Sequence, residues 1–112
     1  MNNTDITNLI AGLLNRLNIV DVCLCPGARN SPLINAFSKT DIHMHSILDE
    51  RSAGFYSLGL AKATGKPVAI SCTSGTALAN LFPAIIEARM SEVPLVIITA
   101  DRPKELVDKG EN

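Results

Sequence analysis

The feature that most constrains this 112-residue chain is an alternation of short β-prone runs with stretches of helical periodicity. The runs are VDVCLC (20–25), HMHSIL (43–48), PVAISC (67–72) and PLVIIT (94–99). Each gap between them is long enough for a helix. Tight turns join antiparallel neighbours, whereas parallel strands need crossovers of a dozen or more residues. The pattern therefore predicts an α/β fold: an open parallel sheet with helices on both faces and right-handed crossovers. It leaves the strand order open.

The first helix is expected over residues 4–18. Ile6, Leu9, Ile10, Leu13, Leu14 and Leu17 recur there at three- and four-residue steps and form one apolar stripe. Thr4 can cap its start, and Asn18 can leave it in a left-handed conformation. A shorter helix follows, with Ser31 as N-cap and Pro32 at its first position. The third covers 50–64, capped by Asp49 and closed by Gly65. Its inner face is expected to carry small residues, Ala53, Gly54, Gly59, Ala61 and Ala63, which allow close backbone approach. Leu78, Leu81, Phe82, Ile85 and Ile86 mark a fourth helix from near Ser74-Gly75, with a kink or break expected at Pro83. The continuous apolar run PLVIIT suits a parallel strand covered on both faces.

The length fits one domain. The polar end, KELVDKGEN, adds no further strand or helix and leads us to expect a domain incomplete at its C-terminus. Ten basic residues against eleven acidic ones, with no basic run, give no support to nucleic acid or an anionic membrane as partner. The N-terminus lacks the basic start and cleavage site of a signal peptide, and no apolar stretch reaches membrane-spanning length. A cytoplasmic setting is expected. Cys23, Cys25 and Cys72 then read as reduced, buried core residues. His43 and His45 share one side of a strand, but two ligands do not make a metal site.

Ligands of open parallel sheets bind beyond the carboxyl ends of the strands. Here each strand leads, at that end, into a loop rich in chemistry: Pro26-Gly27-Ala28-Arg29-Asn30-Ser31, Asp49-Glu50-Arg51, Thr73-Ser74-Gly75-Thr76 and Asp101-Arg102-Pro103. Every one of these has a plainer reading. Ser31-Pro32, Asp49 and Ser74-Gly75 can be helix starts, Arg29 and Arg102 can be solvated, and Glu50 can complement a helix dipole. Ser74-Gly75-Thr76 could also hold an anion on backbone amides. No dinucleotide fingerprint or phosphate-binding lysine loop is present. The convergence of four such loops on one rim says more than any one of them.

The segments CPGARNSPL (25–33), LDERSAGFYSLGLAKATGKPVAISCTSGTALANLFPAIIEA (48–88) and LVIITADRPKEL (95–106) together resemble the MenD family. These are the 2-succinyl-5-enolpyruvyl-6-hydroxy-3-cyclohexene-1-carboxylate synthases, among the thiamine-diphosphate enzymes. TSGT followed by NLxPAxxEA and then TADRP is the more specific part. A glutamate ahead of a small-residue helix and a TSG turn is shared more widely, for instance with acetolactate synthase. The resemblance implies the pyrimidine-binding domain of the thiamine-diphosphate-binding fold over 1–112, with the central and diphosphate-binding domains absent.

It also implies roles. Glu50 would be catalytic, hydrogen-bonding N1′ of the cofactor's aminopyrimidine, with Pro26, Gly27, Thr73, Ser74 and Gly75 beside the ring. Arg29 and Arg102 would bind substrate carboxylates. The implied reaction joins 2-oxoglutarate, with decarboxylation, to isochorismate in menaquinone (vitamin K2) biosynthesis. The implied cofactors are thiamine diphosphate and magnesium, with magnesium and diphosphate held by another domain and no metal held here. The family builds its site between subunits, so a homodimer or higher homo-oligomer is expected, and an isolated chain should be inactive and retain little cofactor. Ala28 and Asn30 stand where the family commonly writes serines, so serine contacts do not transfer. Two other readings stay open: another thiamine-dependent carboligase or decarboxylase, and a non-catalytic α/β interaction module.

Overall fold

In the computed structural model, which describes residues 1 to 110, the local signals largely decide where helices start and stop. Helix α1 (Asn3–Arg16) begins at Asn2, not Thr4: the Asn2 side chain accepts from the Asp5 amide, and Asp5 reaches back to the Asn2 amide. That reciprocal capping box satisfies two amides at once, which a threonine two residues later could not do. Asn18 leaves the helix at φ 58°, as expected. Strand β1 (Asp21–Leu24) runs into a 3₁₀ turn (Ala28–Asn30) that feeds α2 (Ser31–Phe37). Ser31 is therefore the first helical residue and not the cap, because the preceding turn already has helical backbone at Asn30.

Strand β2 (His43–Ser46) leads to α3 (Glu50–Thr64), with Asp49 as N-cap accepting from the Ser52 amide at 2.8 Å and Gly65 as left-handed C-cap. Strand β3 (Val68–Cys72) is followed by α4 (Ala77–Met90) and strand β4 (Leu95–Thr99). A second 3₁₀ turn (Lys104–Leu106) interrupts the polar tail expected to lack structure, whose last two residues lie outside the described region.

Among the described residues the four strands form one sheet in the order β2-β1-β3-β4, parallel throughout. Alternation within β1 sends Val22 and Leu24 to one face and Cys23 and Cys25 to the other. The first face packs on α1 and α2 through Leu14, Leu33 and Phe37, and the second on α3 and α4 through Ala53 and Leu81. The helices do flank both sides. Glycine decides how α3 meets α4: a Cβ on Gly54 would lie 2.7 Å from the Ala84 Cβ.

Four further expectations need correction. On α1, Ala11 and Leu14 are buried while Ile6, Leu9, Leu13 and Leu17 are exposed, so the stripe is broader than the surface that this chain packs against it. On α3, Gly59 and Ala63 face solvent, and the buried face is completed by Ser57 and Leu58. Helix α4 runs unbroken through Pro83, so the break allowed for there does not occur. Pro83 and Ala79, whose carbonyl loses its partner, both sit on the exposed side, where water can replace the missing bond. Strand β4 is an edge strand and only half-buried: Val96 and Ile98 pack against one core cluster and Leu95 and Ile97 against the other, so its two faces are covered only in part. No helix among the described residues is long and apolar enough to cross a membrane.

Candidate active site

The four loops singled out from the sequence all follow the carboxyl ends of parallel strands, so they share one rim. Beyond β1 the Cys25 amide donates to the Ser71 carbonyl at 2.9 Å, which keeps the chain alongside β3 for one more step. Pro26-Gly27 then crosses close over Thr73. A Cβ on Gly27 would lie 2.8 Å from the Thr73 Cβ, so this approach requires glycine. The 3₁₀ turn that follows sends neighbouring side chains in different directions. Asn30 is fully buried, and Arg29 extends so that its Nη1 donates to Ser74 Oγ at 3.4 Å.

Beyond β3, Thr73, Ser74 and Gly75 form the turn into α4, with Gly75 at φ 73°. This turn faces the loop after β4. There Asp101 Oδ1 accepts from the Arg102 amide at 2.7 Å and stands 3.8 Å from Arg102 Nε. The Arg102 guanidinium reaches to within 3.9 Å of where a Gly75 Cβ would be. A cleft of about 530 Å³ opens between Arg29, Pro32, Asp101, Arg102 and Lys104. A smaller one of about 130 Å³ lies along Thr73, Ser74, Gly75 and Asp101. Three cations against one carboxylate suit the larger cleft to an acidic ligand.

Glu50 belongs to the other half of the rim, because β2 and β4 are opposite edges of the sheet. It is the first residue of α3 and half-buried. The α3 amino terminus favours a carboxylate there. Its cap, Asp49, is held below the usual carboxylate range by the Ser52 amide. Glu50 lines neither of the two clefts. What links it to the strand tips is its field. Burial first, and the Glu50 charge second, push the Cys25 thiol up to about 12, and the same two causes raise Cys72. Cys25 and Cys72 are buried, free and adjacent at the ends of β1 and β3. The Glu50 carboxylate is thus near enough to the ends of β1 and β3 for its charge to act on both thiols, which burial keeps neutral.

The rim brings Arg29, Thr73, Ser74, Gly75 and Arg102 together, with Pro26-Gly27 beside them, while Glu50 follows the edge strand β2 and lines neither cleft. The sequence reading missed the buried pair Asn30 and Ser71, joined by a 2.6 Å bond from Ser71 Oγ to Asn30 Oδ1. A lone serine in the apolar run PVAISC was the available signal. The histidines lie along the edge strand β2, His43 opposite Asp21 at its amino end and His45 opposite Cys23. Asp21 Oδ1 stands 2.8 Å from His45 Nε2 and 3.5 Å from His43 Nδ1, and Tyr56 meets His45 Nδ1 at 3.2 Å. Among the described residues no cluster of three or more His, Cys, Asp or Glu side chains could hold a metal ion.

Comparison with known proteins supplies the family. The family model described as "Thiamine pyrophosphate enzyme, N-terminal TPP binding domain" matches residues 4–112. The chain is 60% identical over 97 residues to the 2-succinyl-5-enolpyruvyl-6-hydroxy-3-cyclohexene-1-carboxylate synthase of Trichormus variabilis, covering 85% of this chain and 17% of that protein. The synthase of the same name from Shewanella frigidimarina is 53% identical over 105 residues, 93% of this chain and 18% of that protein. That of Bacillus pumilus is 49% identical over 114 residues, 98% of this chain and 20% of that protein. The chain spans a fifth or less of the length of these curated relatives. A parallel α/β sheet flanked by helices, matched by the family model over nearly its whole length, places this chain in the thiamine pyrophosphate enzyme family, in its N-terminal TPP-binding domain.

Proposed function

We propose that this chain is the pyrimidine-binding domain of a longer, cytoplasmic, thiamine-diphosphate- and magnesium-dependent synthase. That enzyme would join 2-oxoglutarate, with loss of carbon dioxide, to isochorismate in menaquinone biosynthesis. The observation that carries the reading is one rim holding both a half-buried carboxyl group at a helix start and an arginine-lined cleft. The names of the relatives support the choice of reaction.

The residues fit the cofactor's pyrimidine. Glu50 would hold and exchange a proton at N1′, which a carboxyl group can do and an amide cannot. Cys25 and Cys72, held neutral chiefly by burial, add no charge that would compete with that exchange. Pro26-Gly27 and Thr73-Ser74-Gly75, closely apposed at Gly27, would flank the ring. When bound, thiamine diphosphate supplies the carbon nucleophile and the electron sink that decarboxylation needs. Arg29 and Arg102 would grip substrate carboxylates through their planar forks. A domain elsewhere in the longer protein would hold diphosphate and magnesium, with the site completed between subunits of a homodimer or larger homo-oligomer. Leu78, Phe82, Ile86 and Met90, exposed at four-residue intervals along α4, give such an assembly an apolar face to cover.

An acetolactate synthase-like enzyme would share the Glu50 arrangement but has less use for two arginines beside the substrate. Assay of the full-length enzyme with 2-oxoglutarate plus isochorismate, against pyruvate alone, separates the two. The proposal expects carbon dioxide release that depends on 2-oxoglutarate and coupling to isochorismate. Turnover of pyruvate in preference would overturn it.

A further inference from the structure

Asn30 is buried to 0% exposure although its neighbours Ala28 and Ser31 are exposed. An amide survives such burial only if its donors and acceptor are satisfied. Here they are. Nδ2 donates to the Cys25 carbonyl at 2.9 Å and to the Ser71 carbonyl at 3.2 Å, and Oδ1 accepts from Ser71 Oγ at 2.6 Å. Its own amide closes the 3₁₀ turn on the Gly27 carbonyl at 3.0 Å.

These bonds fall at a particular place. The Cys25 amide to Ser71 carbonyl bond extends the β1–β3 ladder, and the Asn30 side chain bridges the same two strands just beyond it. One loop carries Arg29 and the other carries Ser74, to which Arg29 donates at 3.4 Å. Asn30 therefore ties together the two loops on which that contact rides. A serine in its place would offer one donor where the amide has two, and could not bridge both carbonyls while accepting from Ser71.

We propose that Asn30, locked by Ser71, is a positioning residue that sets Arg29 for a substrate carboxylate. The inference rests on the reading of Arg29 as a substrate-binding residue. Arg29 would contribute equally to ground and transition states, so misplacing it should raise KM and spare kcat.

Steady-state kinetics of the full-length enzyme with 2-oxoglutarate and isochorismate test this. Arg29→Ala is expected to raise KM for one of the two. Asn30→Ala should raise the same KM by about tenfold while kcat stays within about twofold. In the Arg29→Ala background, Asn30→Ala should change that KM no further, because the two act as a unit. Asn30→Ala raising KM by the same factor in both backgrounds would overturn the proposal, as would an Asn30→Ala enzyme with unaltered KM. If Asn30→Ala does not fold, Ser71→Ala removes only the bond to Oδ1. It should raise the same KM by about threefold, and an unchanged KM overturns the proposal. If Arg29→Ala alters neither KM, the reading of Arg29 fails first and the positioning role falls with it.

Discussion

Three thiols lie under the rim, and burial keeps them protonated. Cys25 is the extreme case, raised from an ordinary value of 9.0 to about 12. Below about pH 9 the thiol is neutral in both the folded and unfolded chain, and its packing contributes in full. Between about pH 9 and pH 12 the unfolded thiol ionises while the folded one does not, so stability falls as pH rises. Chemical denaturation across that interval should give a shallower decline for Cys25→Ala than for the parent, and an equal slope would contradict the assignment. The three cysteines were legible in the sequence as buried and reduced because each sits in an apolar strand run. From its local pattern alone Glu50 was legible only as a helix-start carboxylate, and its expected role came from the family resemblance. Asn30 was not legible at all. Its burial follows from the 3₁₀ turn rotating it onto the carboxyl ends of β1 and β3, and no local pattern announces that rotation.

Among the elements, α3 and α4 depend on one absent methyl group. A Cβ at Gly54 would meet Ala84 Cβ at 2.7 Å and Leu81 Cδ2 at 3.3 Å. Alanine is the better helix former by about 1 kcal/mol, but overpacking a tight helix contact costs about 1–3 kcal/mol. Gly54→Ala should therefore be destabilising by up to about 2 kcal/mol in denaturant unfolding, with partial recovery when Ala84→Gly is added. A Gly54→Ala protein at least as stable as the parent would show that the helices can move apart freely. The caps Asp49 and Gly65 and the alternation of strands with helices followed from local chemistry, and the elements form where those signals stand. The α1 stripe and the covering of β4 did not, because both depend on what packs against them rather than on their own periodicity. The order β2-β1-β3-β4 is likewise a matter of long-range pairing. Pro83 failed to break α4 because its missing bond opens toward water.

At the scale of the whole molecule, the sheet order divides the rim into two halves. The β1 and β4 tips set Arg29 and Arg102 around one cleft and the β3 and β4 tips set the Thr73-Ser74-Gly75 turn along a second, while the β2 tip supplies Glu50. Cys25 and Cys72, at the ends of the two central strands, are raised first by burial and then by the Glu50 charge. The exposed α4 stripe and the half-buried edge strand β4 are surfaces that a larger protein would cover. All of this gains its meaning from the proposed proton exchange at Glu50. The most direct measurement is deuterium exchange at C2 of thiamine diphosphate bound to the full-length enzyme, comparing the parent with Glu50→Gln. The account predicts a rate lower by about a hundredfold or more in Glu50→Gln, with the cofactor still bound. An exchange rate equal to the parent's would contradict it.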